Sequence, residues 1–573
     1  MKGKYRDPSR RGIYSDLAIR QIPRLLSVTD REEFSPTYGC MDREYWLCRS
    51  TDFPSSIAQF GIQSLALVYA HPFSNNPYHR HPKILKIVLA AMDYWIKIQK
   101  NDGSFDEFYP NERGWAGPTG FLVYAMARAY REVAPLMPGD LRDRFLKSLS
   151  KAGRFLARYD EPGVLANHHA MAILPIYEAY DILGERQLLE GFHDRLNDFL
   201  GYTNEEGWCL EYDGPDLGYL SATVSFLEKL GRLYKDDRLE DVILRAVEFC
   251  SYFVYPNGFF AGTVSSRQTV HFYPHGFEMR AGSDPLAAAV AEAMLASLGE
   301  GKLVPPEIQE DRYFKYRIPE FLEAYLDYAP VEKSLEPLPY ERPPFQKYWP
   351  GARMAARRGD NYYAVTSLGK GGVLKLFRSD TGRLIFNDCG LRLLLKKGGE
   401  VTTGWMDPDY KTEVNDNVLE ISGHLHKVVH KVFTPLKMIL FRLFMLTFGW
   451  HTGMAYNIKG WIRKLLMLRS GIAPVQFTRK IIFEKDSCLM TDTIRLEPGV
   501  EVLKGTLGDE FSPRYVPQSR YFQSQELDVE GYDLTAEDLE RLNHRRSLLI
   551  TRTISYSEGL MDCRSRDDTS SAN

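Results

Sequence analysis

The spacing of apolar residues changes once along the chain, and this change limits the folds that the chain can adopt. From residue 55 to residue 330, apolar residues recur at helical spacing. A proline-dense segment follows at 335–350, and beyond it the apolar residues form short runs typical of strands. We therefore expect a helical domain joined to a β domain. The stretches predicted as helices are Ile57–Tyr69, Ile84–Ile98, Thr119–Val133, Leu141–Tyr159, His169–Leu183, Arg186–Tyr202, Ser221–Tyr234, Leu239–Phe253 and Pro285–Leu298.

Three predicted turns between these helices share a glycine with an aromatic residue close behind it. Gly103 and Gly207 lie 104 residues apart, and Gly207 and Gly258 lie 51 apart. A unit of roughly 50 residues is the length of a helical hairpin with its turn, and a further, unmarked repeat is expected near Glu161. Hairpins of this size can close into an (α/α) toroid, which we predict for 31–330. Ordinary helix C-caps are the alternative explanation of the glycines.

Beyond the proline-dense segment, short β-type runs begin at Tyr362, Gly372, Arg383 and Asn417, and similar runs occupy 477–483 and 487–496. Such runs, separated by Gly, Asp and Asn, predict an antiparallel β-sandwich at 351–555. The expected organisation is completed by three flanking segments, namely an N-terminal extension at 1–30, a Pro-rich linker at 331–350 and a disordered tail at 556–573.

One segment inside the β domain is basic and apolar. Residues 421–483 contain ten Lys or Arg and no Asp or Glu. Charges at Lys437 and Arg442 leave no run of about 20 apolar residues, so the segment is not predicted to span a bilayer. A basic, amphipathic helical insertion at about 427–470 is typical of segments that lie in a membrane interface. A basic helical hairpin packed on its own sandwich is the alternative.

The N-terminal residues are basic and polar and lack the apolar stretch of a signal peptide. We therefore expect a cytoplasmic protein, peripherally associated with the inner face of the membrane. The net charge of −3 does not favour nucleic acid as a partner. Seven scattered cysteines without a CxxC pattern favour free thiols over a disulfide framework or a zinc knuckle. No cofactor is predicted, although His424, His426 and His430 share a predicted β segment and could bind a structural metal.

Polar residues concentrate at three predicted turns of the helical domain, at 167–169, 211–219 and 265–278. Because each follows a turn of the repeat, a toroid would bring all three to one mouth. A polar and aromatic cluster near residue 43 could line a sugar subsite, with a buried structural network as the alternative. The candidate catalytic residues are Tyr219, His168, His169, His271 and His275, and the candidate substrate-binding residues are Asn167, Arg267, Glu211, Trp46, Arg43 and Glu278.

The order of toroid, linker and β-sandwich resembles the heparinase II/III-like polysaccharide lyases, with the related alginate lyases and dermatan sulfate epimerase, over about residues 31–500. In that family an Asn–His pair precedes a helix, which 167–169 resemble, and a glycine-rich turn ends in Tyr, which 214–219 resemble. A second His follows, for which His271 and His275 compete. The resemblance implies lysis or C5 epimerisation of uronate glycans. The chain departs from the family in its two adjacent histidines, its lack of an export signal and its insertion.

The chemistry of a uronic acid explains why these residue types are needed. Removal of the C5 proton builds a second negative charge beside the carboxylate, so the carboxylate must be neutralised. Asn167 and Arg267 are candidates for this, with Glu211 as a partner that shares a proton. Tyr219 has an ordinary pKa of about 10 and needs a nearby cation to act as base, whereas a His can supply that cation or act as the base itself.

The predicted substrate is a uronate-containing glycan, either a polysaccharide or a lipid-linked form, in polysaccharide biosynthesis. Loss of the 4-linked sugar gives β-elimination, and return of a proton from the opposite face gives C5 epimerisation. A glycoside hydrolase on the same toroid is an alternative, with Glu211, Asp216, Asp106 or Glu107 as its two carboxylates. A non-catalytic glycan-binding protein of an assembly system is another.

Overall fold

The computed structural model describes residues 4–160, 165–331, 334–429, 434–463, 471–508, 512–514, 521–527 and 531–567. The helices are α1 Gly12–Ile19, α2 Ile22–Ser27, α3 Arg43–Trp46, α4 Gly61–Ala70, α5 Pro82–Ile98, α6 Phe121–Val133, α7 Gly139–Arg158, α8 Ala166–Leu183, α9 Arg186–Leu200, α10 Leu217–Gly231, α11 Asp237–Ser251, α12 His275–Arg280, α13 Pro285–Gly299, α14 Phe314–Leu326, α15 Pro435–Phe448, α16 Thr452–Arg463 and α17 Ala536–Arg545. The strands are β1 Leu210–Glu211, β2 Gly214–Pro215, β3 Phe345–Trp349, β4 Met354–Arg358, β5 Tyr362–Ser367, β6 Val373–Arg378, β7 Leu384–Asp388, β8 Leu391–Leu395, β9 Gly399–Thr402, β10 Lys411–Val414, β11 Val418–Lys427, β12 Ile472–Phe483, β13 Ser487–Leu496, β14 Val502–Leu507, β15 Tyr532–Asp533, β16 Ser547–Ser555 and β17 Gly559–Arg566.

Six helices form a closed inner ring. In ring order, α4, α6, α8, α10, α12 and α14 each contact the next, and α14 returns to α4. Helices α5, α7, α9, α11 and α13 alternate with them along the chain and lie outside the ring. This arrangement is the predicted (α/α) toroid, and all nine predicted helices are present. In the helical domain, sequence spacing missed α1, α2, α3, α12 and α14, of which α3 has four residues and α2 and α12 have six each.

The turn glycines have a steric reason to be glycine. Gly103 and Gly207 have φ angles of 94° and 91°. Residues other than glycine rarely adopt this backbone conformation. A Cβ at Gly103 would lie 2.2 Å from the Lys151 carbonyl oxygen in α7, and one at Gly207 would lie 2.2 Å from the Arg245 carbonyl oxygen in α11. Each turn therefore packs directly on the backbone of an outer helix further along the chain. The repeat predicted near Glu161 lies outside the described residues.

The chain ends differ from the predictions. Helix α1 packs against α14, and Tyr14 is 1% exposed, so much of the predicted extension at 1–30 belongs to the helical domain. At the other end, β17 pairs antiparallel with β16, so the predicted disordered tail contains a strand as far as Arg566. Both differences arise because tertiary partners cover segments whose own sequences are weakly patterned.

The β domain has two sheets. A five-stranded antiparallel sheet has the order β3-β4-β5-β6-β7, and a ten-stranded sheet follows the order β15-β14-β8-β9-β11-β12-β13-β16-β17, with β10 paired to β11. Buried and accessible residues alternate along β12, because one face covers the core. The five-stranded sheet also packs on the toroid, where Trp349 meets Phe249 at 5.1 Å between ring centroids. The strands predicted from sequence are confirmed.

The basic segment forms two helices, α15 and α16, between neighbouring strands β11 and β12. In the described part of the chain, no helix has the length and hydropathy required to cross a membrane. The helices leave the sheet and contact the toroid instead, since Asn111 donates its side-chain amide to the Met445 carbonyl at 3.2 Å. The alternative prediction was a hairpin packed on its own sandwich, whereas the contact at Asn111 is made with the toroid.

Candidate active site

The backbone brings two of the predicted polar turns together and joins them to the third. Leu165, just before α8, forms a β-bridge with Glu211 in β1. The loop after residue 264 lies along the β1–β2 hairpin, where the Ser266 hydroxyl donates to the Glu211 carbonyl at 2.6 Å. We call the residues assembled here the mouth cluster: Asn167, Glu211, Tyr212, Asp216, Tyr219 and Arg267.

Glu211 is the most unusual member of the mouth cluster. Its carboxyl group is 2% exposed, and one oxygen, Oε1, accepts both the backbone N–H and the side-chain amide of Asn167, at 2.6 and 2.7 Å. The other oxygen, Oε2, is buried and bonds none of the described residues. Burial raises the pKa of Glu211 to about 8, against the lowering effect of the Asn167 bonds. At neutral pH the carboxyl is therefore protonated, and because Oε1 only accepts, the proton lies on Oε2.

Asp216 fixes the positions of Tyr219 and Arg267. It is the N-cap of α10, and its Oδ1 accepts the Tyr219 backbone N–H at 3.1 Å. Its Oδ2 accepts the Arg267 backbone N–H, also at 3.1 Å. One buried carboxylate thus holds the start of a helix and the loop from the next hairpin together.

Tyr219 lies half-buried in the first turn of α10. Burial raises the pKa of its phenol well above the ordinary value, and the Arg267 guanidinium opposes this shift. The phenol is therefore protonated at neutral pH, which makes it a proton donor in the free protein.

Arg267 is buried against Tyr212. Its Nη1 donates to the Tyr212 hydroxyl at 2.8 Å, and its guanidinium carbon lies 4.4 Å from the centre of the Tyr212 ring. Tyr212 and Asp213 form the turn between β1 and β2, with φ of 53° and 74°. A left-handed conformation is uncommon for an aromatic residue, so the tight hairpin holds Tyr212 in place for Arg267.

The two adjacent histidines at the start of α8 have different surroundings, because successive helical residues point about 100° apart. His169 is 1% exposed and packs between the rings of Trp115 and Tyr202, with centroids 5.1 and 4.6 Å away. His168 is half-buried. His169 is therefore enclosed by the toroid, whereas His168 is partly accessible.

His271 is fully enclosed, away from the contacts of the mouth cluster. Its Nε2 lies 2.8 Å from the side-chain nitrogen of Gln309. Burial, and the nearby Arg317 cation, hold the pKa of His271 well below its ordinary value, so the ring is uncharged. These contacts are those of a core histidine.

His275 belongs to a second buried cluster, which we call the ring network: Lys229, His275, Glu320, Glu323 and Asp327. Its Nε2 lies 2.6 Å from Asp327, and the Lys229 ammonium lies 2.8 Å from Glu320 and 3.3 Å from Glu323. Atoms of His275, Glu320 and Glu323 that could bind a metal lie within 4.8 Å of one another. Lys229 already supplies the positive charge that the two carboxylates need.

Arg43, Trp46 and Glu278 also have structural partners. Arg43 pairs with Asp311 at 2.5 Å, and the Trp46 indole donates to the Val28 carbonyl at 2.8 Å. Glu278 is fully buried, where it accepts bonds from Arg6 and from the Tyr14 hydroxyl at 2.8 and 2.9 Å. Glu278 thus belongs to a buried network, whereas Arg43 is 42% exposed, so a sugar subsite at residues 43–46 stays a prediction.

The β domain contributes a residue that sequence reasoning missed. Arg514 donates to the Tyr212 carbonyl and to the Asp213 carboxylate, both at 2.8 Å, and its guanidinium lies 3.8 Å from the Trp405 ring centre. Lys370 also reaches the toroid, bonding the Thr263 and Ser265 carbonyls at 2.7 Å each. No local pattern marks Arg514, because it lies about 300 residues from its partners and only folding brings them together.

The histidines of the β segment separate from one another. A register shift falls between His424 and His426 in β11. His426 is buried and pairs with Asp407 at 2.7 Å, whereas His424 is half-buried. The two rings therefore do not share one face, and His430 lies outside the described residues.

Comparisons with known proteins agree with this architecture. No family model matches the chain, and no curated protein matches it in sequence. Among solved structures it is similar to the chondroitin AC lyase of Streptomyces coelicolor A3, solved in complex with chondroitin sulphate, at TM-score 0.51 and 12% identity over 87% of this chain and 68% of that chain. The chain has the fold of the toroidal polysaccharide lyases. This confirms the predicted resemblance at the level of the fold.

Two further solved structures of lyases are also similar to the chain. Heparinase III gives TM-score 0.47 and 11% identity, over 88% of this chain and 73% of that one. The heparan sulfate lyase HepC of Pedobacter heparinus gives TM-score 0.39 and 12% identity, over 88% of this chain and 70% of that one.

Proposed function

We propose that this protein is a carbohydrate-active enzyme that removes the C5 proton of a uronic acid residue in a polysaccharide. The observation that carries the proposal is the buried Glu211 carboxyl, which Asn167 holds by one oxygen in the same cluster as Tyr219 and Arg267. The toroidal lyase fold supports a polysaccharide as the class of substrate, since the similar chondroitin AC lyase was solved with chondroitin sulphate.

Neutralisation of the substrate carboxylate is the first requirement of this chemistry. A protonated Glu211 can donate from Oε2 to a carboxylate oxygen without adding negative charge to the site. The Arg267 guanidinium supplies a fixed positive charge nearby. Together they would stabilise the charge that develops when the C5 proton leaves, which is the usual source of rate enhancement in such steps.

His168 and Tyr219 divide the two proton transfers in this proposal. Tyr219 is a phenol at neutral pH, so we assign it as the acid. His168, half-buried beside Asn167, is assigned as the base that takes the C5 proton. This assignment leaves His169, His271 and His275 as structural residues, consistent with their enclosed positions.

The fate of the intermediate decides the product. In β-elimination the C4–oxygen bond breaks, the leaving oxygen takes the Tyr219 proton and a C4–C5 double bond forms. In C5 epimerisation Tyr219 returns a proton to C5 from the face opposite His168, and no bond between sugars breaks. The apolar helical insertion beside the toroid favours a glycan that is made or held at a membrane, such as a lipid-linked one, and so favours epimerisation during biosynthesis.

Product analysis in deuterium oxide tests the proposal. The chain would be incubated with sulfated and unsulfated uronate polysaccharides, with the Tyr219→Phe variant as control. Ultraviolet absorbance from an unsaturated uronate would identify a lyase, and deuterium at C5 without cleavage would identify an epimerase. New reducing ends without either signal would identify a hydrolase and overturn the proposal, as would glycan binding without any turnover across the panel.

A further inference from the structure

Helices α15 and α16 are held to the toroid by one side only. Arg113 donates to the Gly449 carbonyl at 3.2 Å and to the Trp450 carbonyl at 2.9 Å. The Thr452 hydroxyl donates to Asp102 at 2.6 Å, and the rings of Tyr109 and Phe441 meet edge-to-face with centroids 5.0 Å apart. The pair of helices therefore contacts the toroid at the turn that carries Gly103. The same loop continues to Trp115, whose ring packs against His169.

The opposite side of these helices is apolar and exposed. Of the 26 large hydrophobic side chains exposed in the described part of the chain, 11 lie between residues 436 and 461, with exposed fractions from 39% to 82%. We call these the hairpin surface: Leu436, Met438, Ile439, Leu440, Leu443, Phe444, Leu446, Phe448, Trp450, Met454 and Trp461. Soluble monomers rarely expose apolar residues in such a cluster. The hairpin surface is therefore typical of a site that binds a protein or a membrane.

The basic residues of this segment indicate that the partner of the hairpin surface is anionic. The segment 421–483 has ten basic residues and no acidic one. The acidic partners of Arg442 and Lys459 come from the toroid, at Asp52 and Glu112, while Lys437 stays exposed among the apolar residues. An apolar surface on a basic segment, with Lys437 exposed within it, is complementary to an anionic bilayer, whose headgroups attract Lys and Arg while the acyl region takes up the apolar side chains.

The length of α15 determines how it would meet such a bilayer. Its 14 residues extend about 21 Å at roughly 1.5 Å per residue, which is short of the roughly 30 Å hydrocarbon thickness. The helix therefore fits in the interface plane rather than across it. Trp450 and Trp461, both strongly exposed, are of the type that favours the headgroup level.

We propose that the α15–α16 hairpin docks this protein on an anionic phospholipid bilayer and thereby holds the toroid beside the membrane surface. The docking rests on exposure and charge and is independent of the proposed chemistry. If the proposed function also holds, docking would expose the protein to a high local concentration of any glycan held at the membrane.

Vesicle binding of the full chain tests the proposal. Co-sedimentation would compare vesicles of phosphatidylglycerol and phosphatidylcholine with vesicles of phosphatidylcholine alone, at low and high salt. We expect binding to the anionic vesicles that weakens with salt, because the attraction of exposed charges is screened. The variant Leu436→Glu, Leu440→Glu, Leu443→Glu should bind at least a hundredfold more weakly, since these exposed residues lie along one face of α15.

A matched variant controls for the added charge: Leu136→Glu, Leu244→Glu, Leu503→Glu changes three leucines that are similarly exposed elsewhere. It should bind like the unchanged chain. Equal loss in both variants, equal binding to neutral vesicles, or no binding at all would overturn the proposal. The proposal would also be overturned if the unchanged chain were a dimer that binds no vesicles, and if the α15 variant alone were a monomer. Turnover of soluble glycan should be the same in both variants, so a failure of docking is distinguishable from a failure of the proposed function.

Discussion

The mouth cluster and the ring network are both buried groups of ionisable residues in the same toroid, yet they leave their carboxyl groups in opposite states. In the ring network, burial alone would raise the pKa of Glu323, but Lys229, His275 and Arg128 lower it to about 2. In the mouth cluster, burial raises the pKa of Glu211 to about 8, because its bonds come from the uncharged Asn167. The decisive difference is a cation in direct contact with the carboxylate.

This comparison separates structural from functional polar residues. The ring network joins α10, α12 and α14, and its three carboxylates pair with Lys229 and His275 and with two cations from outside the network, Arg128 and Arg232. The mouth cluster retains a buried oxygen, Glu211 Oε2, that bonds none of the described residues. An unpaired buried polar atom costs free energy, roughly 1–3 kcal/mol, and under the proposed function Glu211 Oε2 is the oxygen that would donate to the substrate carboxylate.

The largest effect is expected from Tyr219→Phe, which removes one hydroxyl from the mouth cluster. Turnover should fall about 10⁴-fold, at the upper end of general acid–base effects, while the melting temperature changes little. Steady-state kinetics with a uronate polysaccharide measures the loss. Retention of more than a tenth of the activity would remove Tyr219 from the mechanism and would favour a hydrolase.

Lys229→Met should have its effect on stability. Without the ammonium, Glu320 and Glu323 lose the one cation that contacts both, and Arg128 and His275 pair only with Glu323, so the free energy of unfolding should fall by about 3–5 kcal/mol. Denaturant unfolding measures this change. Glu211→Gln is the matched control, since it alters a buried carboxyl that is already uncharged at neutral pH, and it should cost much less. Similar losses in the two variants would break the distinction between the clusters.

The adjacent histidines give a smaller test of the same distinction. His168→Gln should lower turnover about 10²-fold without lowering the melting temperature. His169→Gln should do the reverse, because it disturbs packing between Trp115 and Tyr202 and should cost about 1–2 kcal/mol. Paired kinetic and thermal measurements separate the two. If His169→Gln alone abolished turnover, the base would have to be reassigned.

The smallest effect concerns pH. Glu211 acts as a donor only when protonated, so its contribution is present below its pKa of about 8 and is lost as pH rises through that value. We expect kcat/KM to fall about tenfold per pH unit above that pKa, and we expect this limb to disappear in Glu211→Gln, whose amide still donates. A limb that persists in the variant would belong to another group.

Much of the architecture could be predicted from sequence, because local patterns carry it. The helical spacing predicted nine helices, and strand patterns predicted β5 to β7 and β11 to β13. The turn glycines were recognisable because close packing against the next outer helix excludes a Cβ. The ends of the chain were mispredicted because their structure depends on distant partners, α14 for α1 and β16 for β17.

The candidate site was predicted in part. Residue type and position near turns correctly grouped Asn167, Glu211, Tyr219 and Arg267. The same reasoning could not separate His168 from His169, or recognise His275 and Glu278 as members of buried ion networks. Arg514 was missed, since no local signal precedes a contact made across about 300 residues.

By itself, the sequence determined the order of the domains, the hairpin repeat and the basic apolar segment, because these depend on periodicity, steric demands and charge along the chain. Only the tertiary structure decided which polar residues are neutralised and which remain available. The pKa of a buried group depends on distances to charges from other elements, as Glu211 and Glu323 illustrate. Likewise, only the packing of α15 on the toroid decided that its apolar residues remain exposed.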